Sequence, residues 1–228
     1  MNTIQLNDIY YRYKNSKNDV LKGISATFER GRLISIVGPS GSGKTTLLSM
    51  MAGLDQPTKG QILLDNDDLA QMNLDQYRRE KIAMIFQAFH LFPFLTALEN
   101  VCYPMEQNGM AKKEARNTAK ILLENVHLSP EHAKRFPANL SGGEQQRVAI
   151  ARALSSGAKF IFADEPTGNL DLANGERVLE ILRQLAHDHD YCVVIVTHNM
   201  DIMAKTDYVY SLRDGLIIEE GGNLHASF

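Results

Sequence analysis

An α/β fold is what this sequence predicts: a core with a mostly parallel sheet, an N-terminal antiparallel β subdomain and a helical insertion. Three observations carry that expectation. Short apolar, β-branched runs recur, among them Leu33 to Val37 and Cys192 to Val196, and such runs read as strands buried in a parallel sheet. Helical signals alternate with these runs, which is the order an α/β core requires. From Leu91 to Pro137 the character changes, and no convincing strand occurs. That stretch is the insertion, about residues 91–137, within a single domain whose core spans about 1–90 and 138–228.

In chain order, Ile4 to Tyr13 alternates loosely as a strand, and Lys14 to Asp19 is a polar turn region. Gly23 to Phe28 is a second strand, turned at Arg30-Gly31 into Leu33 to Val37. Thr45 to Ala52 is a helix that stops near Gly53, and Pro57 to Gly60 turns into a short strand, Gln61 to Leu64. Ile82 to Phe86 is another buried strand. In the insertion, Leu98 to Gln107 and Lys112 to Asn125 are helical, the second because Ala115, Ala119, Leu122 and Leu123 share one face. Ser141 opens a helix through Ser155. Lys159 to Ala163, Ala173 to Asp188 and Tyr191 to Val196 then read as strand, helix, strand. Asp207 to Leu212 and Leu216 to Glu220 form a hairpin across Asp214-Gly215, and Gly221 to Phe228 is a loose tail.

Composition narrows the function. A chain of 228 residues with 44% hydrophobic and 22% charged residues is ordinary globular protein. A net charge of −3 gives no basic footprint, so nucleic acid is not expected as a partner. The longest apolar runs are strand length, and the N-terminus carries no basic segment followed by an apolar one. Cys102 and Cys192 lie far apart without paired spacing and read as buried thiols in a reducing, cytoplasmic compartment.

Chemistry begins at Gly38-Pro39-Ser40-Gly41-Ser42-Gly43-Lys44-Thr45, followed by Thr46. The stretch fits G-x-x-x-x-G-K-[ST], and it lies between a strand and a helix, the context that motif requires. Glycines let backbone N–H groups turn around an anion, and the helix N-terminus adds its positive end at the same point. Lys44 would reach the β/γ-phosphates and Thr45 would hold Mg²⁺. The core is therefore a phosphate-loop NTPase core. Phe160 to Ala163 is an apolar strand ending in two carboxylates, Asp164 and Glu165. The first would hold Mg²⁺ through its water and the second would polarise a water attacking the γ-phosphate. Leu140-Ser141-Gly142-Gly143-Glu144-Gln145-Gln146-Arg147 begins with a capping box, Ser141 with Glu144. Two glycines in a first helical turn are costly, by roughly 1 kcal/mol each. Their use is to bare N–H donors at a positive helix end, a second anion site.

At this point the chain resembles the nucleotide-binding subunits of ATP-binding cassette transporters, with Leu140 to Gln145 matching that family's signature and the likeness running from about Ile4 to about Glu220. The resemblance implies a head-to-tail homodimer with two ATP molecules in its interface, each held between one phosphate loop and the other subunit's signature helix. Ser141, Gly142, Gly143 and Gln145 would then complete the partner's site. It implies that Tyr13 stacks on adenine, although Tyr10 and Tyr11 lie close enough to compete for that role. Gln87 resembles the glutamine that contacts Mg²⁺ and the attacking water, and Asp171 lies in the loop Asn169-Leu170-Asp171 that crosses the dimer. His198 resembles the histidine that bonds the γ-phosphate and orients Glu165.

Phe86 to Pro93, Leu95 to Val101 and Asp164 to Asp171 resemble the lipoprotein-releasing and macrolide-exporting branch. That likeness implies a separate integral-membrane permease with a large extracytoplasmic domain, and a peripheral position on the inner face of the cell membrane. Phe89, Leu91, Phe92, Phe94 and Leu95 read as a groove for the permease's cytoplasmic helix, or as packing between the insertion and the core. A regulatory ATPase whose permease-like partner signals without transport stays open as the other reading. His187-Asp188-His189-Asp190 reads as a solvated helix end rather than a metal site, Met50-Met51 as core, and Lys112, Lys113, Arg116 and Lys120 as a solvated helix face.

Overall fold

The computed structural model describes residues 3–14 and 16–222. Strand β1 (Thr3–Tyr11) pairs antiparallel with β2 (Leu21–Glu29), Ile4 opposite Phe28. Alternate residues Ile4, Leu6, Ile24 and Phe28 face inward and are buried. β3 (Arg32–Val37) enters the phosphate loop, and α1 (Lys44–Met51) leaves it. β4 (Lys59–Leu64) and the short β5 (Asp67–Asp68) complete a four-stranded sheet ordered β2-β1-β4-β5.

After α2 (Leu74–Glu80) the chain runs through β6 (Ile82–Phe86), α3 (Ala97–Gln107) and α4 (Lys112–Asn125). It continues with α5 (Gly142–Ser155), β7 (Phe160–Asp164), α6 (Leu172–His187) and β8 (Cys192–Thr197). It closes with α7 (Met200–Met203), β9 (Tyr208–Arg213) and β10 (Leu216–Gly222). These strands build a six-stranded sheet ordered β10-β9-β3-β8-β7-β6, parallel from β9 to β6 and antiparallel at β10.

The apolar runs are continuous because both faces of this sheet are covered. Leu33, Ile161, Val193 and Ile195 join a cluster with α3, α4, α5 and α6. Ile34, Ile36, Phe160, Phe162 and Val194 join a second cluster with α1 and the antiparallel sheet. The sheet's C-terminal edge therefore gathers the ends of β3, β6, β7 and β8, with the chain order switching on both sides of β3.

Most elements lie within two residues of the sequence reading; β5, α2 and α7 were not expected, and two strand ends shift. β1 ends at Tyr11, so Tyr13 sits in the loop beyond the strand. Asn73 caps α2, its side chain accepting from the Gln76 amide at 3.0 Å, and the helix's buried Tyr77 donates to the Met51 carbonyl. Gly221 and Gly222 extend β10 rather than starting a tail, and 223–228 lie outside the described residues. Met50 and Met51 are fully buried, and Lys112, Lys113, Arg116 and Lys120 are exposed, as expected. Both cysteines are free and buried, and burial raises each thiol.

Candidate nucleotide site

The loop from Gly38 to Gly43 wraps back on itself at the end of β3. Gly38 must be glycine, since a Cβ there would lie 2.0 Å from the Leu212 carbonyl oxygen of β9. Lys44, almost buried, donates from Nζ to the carbonyls of Gly38 and Pro39 at 2.8 and 2.9 Å. Burial pushes this amine below its ordinary pKa, opposed by the charges of Glu165 and Asp164. The Ser42 hydroxyl is buried inside the loop with no hydrogen-bond partner. An orphan hydroxyl and a lysine ammonium resting on two loop carbonyls are groups a phosphate would satisfy.

Opposite the loop, Thr45 Oγ1 points at Asp164 Oδ1, 3.5 Å away. Burial raises the Asp164 carboxyl above the usual range, Thr45 and Lys44 oppose that, and the neighbouring Glu165 adds to it. A hydroxyl beside a desolvated carboxylate is an oxygen donor set suited to Mg²⁺. Glu165 follows with φ 48°, a left-handed conformation that costs a non-glycine residue about 1–3 kcal/mol. Three bonds hold it there. Its Oε2 accepts from Thr197 Oγ1 at 3.0 Å, and its Oε1 accepts from the His198 amide at 3.2 Å and His198 Nδ1 at 2.6 Å. Because the carboxylate accepts, the proton sits on Nδ1, which leaves Nε2 of the exposed His198 ring facing outward.

Three further candidate residues take the following positions. Tyr13, half exposed, bonds its hydroxyl to Thr46 Oγ1 at 2.8 Å and stacks edge-on against Tyr11, so its ring stands beside the phosphate loop. Gln87 turns toward Asn169: its Nε2 donates to Asn169 Oδ1 at 3.1 Å, and Asn169 Nδ2 returns to the Gln87 carbonyl at 3.0 Å. Asp171 caps α6, accepting from the Asn174 amide and side chain, which holds its carboxyl below the usual range.

The second candidate anion site lies at the start of α5. Ser141 and Glu144 make a full capping box, with Ser141 N donating to Glu144 Oε2 at 2.7 Å. Its two glycines differ. A Cβ on Gly143 would lie 2.3 Å from Asn174 Oδ1, so tight packing against α6 explains that one. A Cβ on Gly142 would meet nothing closer than 3.6 Å, from Leu170 and Phe89. Packing within the chain leaves Gly142 unexplained. Gln145 turns inward, Nε2 donating to the Leu140 carbonyl at 3.1 Å.

The groove residues divide. Phe89, Leu91 and Leu95 are half-buried, Leu91 against the insertion's core, while Phe92 is 40% and Phe94 89% exposed. Fully buried Asn100 holds the loop: Oδ1 accepts from Phe92 N, and Nδ2 donates to the carbonyls of Phe92, Leu95 and Thr96. Arg152 fastens it from α5 through the carbonyls of Phe89 and His90. The acidic and histidine run after α6 is more engaged than a solvated end, since His187 Nε2 bonds Asp207 at 2.9 Å and Arg30 pairs with Asp190. Among the described residues, no group of three or more His, Cys, Asp or Glu could hold a metal. Sequence reasoning missed Thr197 as a holder of Glu165 and Asn174 as the reason for Gly143. The hydroxyl just before His198 was the one available signal.

Comparison with known proteins points to one family. Residues 21–168 match the family model described as ABC transporter. The ATP-binding protein of the lipoprotein-releasing system of Shewanella frigidimarina is 45% identical over 87% of this chain and 84% of its own. The macrolide export ATP-binding/permease protein of Shigella flexneri is 42% identical over 94% of this chain but only 34% of its own length. A dimeric ABC transporter cassette, from Methanocaldococcus jannaschii, superposes with a TM-score of 0.87 at 38% identity, covering 96% of this chain and 98% of that one. The same cassette has been solved as a dimer in a post-hydrolysis state bound to ADP and Pi.

Proposed function

Because the chain belongs to the ABC transporter family, as an ATP-binding subunit that hydrolyses ATP, we propose that it works as an ATP-held homodimer. In our reading this dimer drives a separate membrane permease with a large extracytoplasmic domain, and attaches through it to the inner face of the cell membrane. No helix among the described residues is long and apolar enough to cross a bilayer. The observation that carries the dimer is Gly142. A methyl group there would fit its own chain, so its bare first-turn amide serves something outside the chain.

Each subunit supplies two half-sites. Amides of Gly38 to Gly43 and the Lys44 ammonium bind the β- and γ-phosphates, for which Lys44 exchanges its two carbonyl partners. Thr45, and Asp164 through a water, would hold Mg²⁺, which when bound would neutralise phosphate charge, and Gln87 would exchange Asn169 for that site. Tyr13 offers a ring face to adenine. Glu165 orients the attacking water, and His198 fixes that carboxylate by donating from Nδ1; carrying a second proton on Nε2, the same ring would donate to the γ-phosphate. Ser141, Gly142, Gly143 and Gln145 present the positive end of α5, and Asp171 the start of α6, to the partner's nucleotide. Glu165→Gln tests this reading. It should bind ATP normally, lose roughly 10²- to 10³-fold in turnover, and elute as a dimer with ATP but as a monomer with ADP. Near-normal steady-state hydrolysis would remove Glu165 from the role.

A further inference from the structure

We propose that His132, in the insertion, is a positioning residue that aims the start of α5 at the partner's nucleotide by holding Glu144. The inference rests on the head-to-tail dimer reading. Glu144 uses its two oxygens in different directions: Oε2 accepts the Ser141 amide at 2.7 Å within the capping box, and Oε1 lies 3.0 Å from His132 Nε2. The second contact is not needed to cap the helix. It crosses from α5 to a turn of the insertion.

The imidazole is set in one tautomer. The Ser129 amide, which can only donate, lies 3.2 Å from His132 Nδ1, and the Ser129 hydroxyl lies 2.7 Å from the same atom. Nδ1 is therefore the acceptor, and the neutral ring carries its proton on Nε2, pointing at Glu144. A hydrogen bond to a carboxylate results without a charged histidine. The turn itself is rigid. Pro130 follows Ser129, the His132 amide bonds back to the Ser129 carbonyl at 3.0 Å, and Leu128 and Ala133 are buried in the core shared by α3, α4 and α5. His132 and Glu144 are both largely shielded from water, so the bond is not a loose surface pair. The insertion thus grips the third residue of α5, two positions after Gly142, and its orientation fixes where Ser141 and the Gly142 amide point.

The geometry makes the substitutions informative. Glutamine reproduces the Nε2 donor, and asparagine reproduces only Nδ1. His132→Gln should keep ATP-driven dimerisation and hydrolysis. His132→Asn and His132→Ala should each lose about fivefold to tenfold in hydrolysis, with ATP affinity of the monomeric subunit unchanged. Glu144→Gln should behave like His132→Ala, because it keeps the cap but turns an amide toward Nε2. Tagged mixed dimers localise the effect. One subunit carries Lys44→Ala, leaving a single working phosphate loop on the other. His132→Ala should impair hydrolysis only when placed on the Lys44→Ala subunit, whose signature faces that loop. An effect only in the subunit with the working loop, or His132→Asn outperforming His132→Gln, would overturn the proposal. If mixed dimers of Lys44→Ala with wild type show no activity attributable to a composite site, the dimer reading itself fails, whatever His132 does.

Discussion

At the scale of single residues, the clearest result is that adjacent glycines serve different masters. Gly143 lacks a side chain because Asn174 of α6 occupies the space, and Gly142 lacks one although its own chain would admit it. Substitution should separate them with opposite signs. Gly143→Ala forces its methyl against the Asn174 side chain and should destabilise the fold by about 1–3 kcal/mol, read as a lower urea midpoint. Gly142→Ala should leave stability level or slightly higher, since alanine favours helix, while weakening ATP-driven dimerisation in size-exclusion chromatography. A destabilised Gly142→Ala protein with intact dimerisation would show that the position serves the fold. Glu165 offers the complementary case, a non-glycine residue kept at φ 48° by Thr197 at the end of β8 and by His198 just beyond it.

At the scale of elements, two helices begin with the same device in different settings. α3 opens on Thr96 with Glu99 and α5 on Ser141 with Glu144, both complete capping boxes. Glu99 is held below its ordinary pKa by the Thr96 amide first and the Thr96 hydroxyl second. Burial pushes Glu144 upward, but bonds from Ser141 and the neighbouring His132 outweigh it and leave the carboxyl lowered. A lowered folded-state pKa means stability that is fully present above the unfolded carboxylate range near pH 4.3. It is lost as pH falls through the folded value. Glu99→Gln should therefore flatten the acid limb of stability below about pH 4.5, read as melting temperature against pH. Thr96→Ala should cost about 1 kcal/mol at neutral pH. An unchanged acid limb in Glu99→Gln would mean that the box forms equally well whether Glu99 is ionised or protonated.

At the scale of the whole molecule, the phosphate loop and the exposed aromatic pair Phe92 and Phe94 are joined by one short path. β6 ends at Phe86, Gln87 bonds Asn169, and the following loop is pinned by Arg152 and Asn100 so that Phe92 and Phe94 face out. Phe89 and Leu95 are half-buried supports, so charge there would disturb folding. The test of docking belongs at Phe94, 89% exposed. Phe94→Glu should abolish co-purification with the membrane subunit and leave melting temperature and ATP affinity unchanged. Retained co-purification would move the docking surface elsewhere.

Much of this protein is decided locally and is therefore legible in its sequence. Strand length and apolar continuity follow from burial on both faces of the parallel sheet, and the loop from Gly38 to Thr45 carries its chemistry in adjacent residues. Asp164, Glu165 and His198 could be placed because each stands at the end of a readable strand. What the sequence could not decide were bonds between residues far apart in the chain. Thr197 holding Glu165, Asn174 filling the space above Gly143 and His132 gripping Glu144 all depend on which surfaces the fold brings within about 3 Å. A capping box is visible as spacing along one chain. Whether its glutamate has an oxygen left for another element is a property of packing, and only the tertiary structure supplies it.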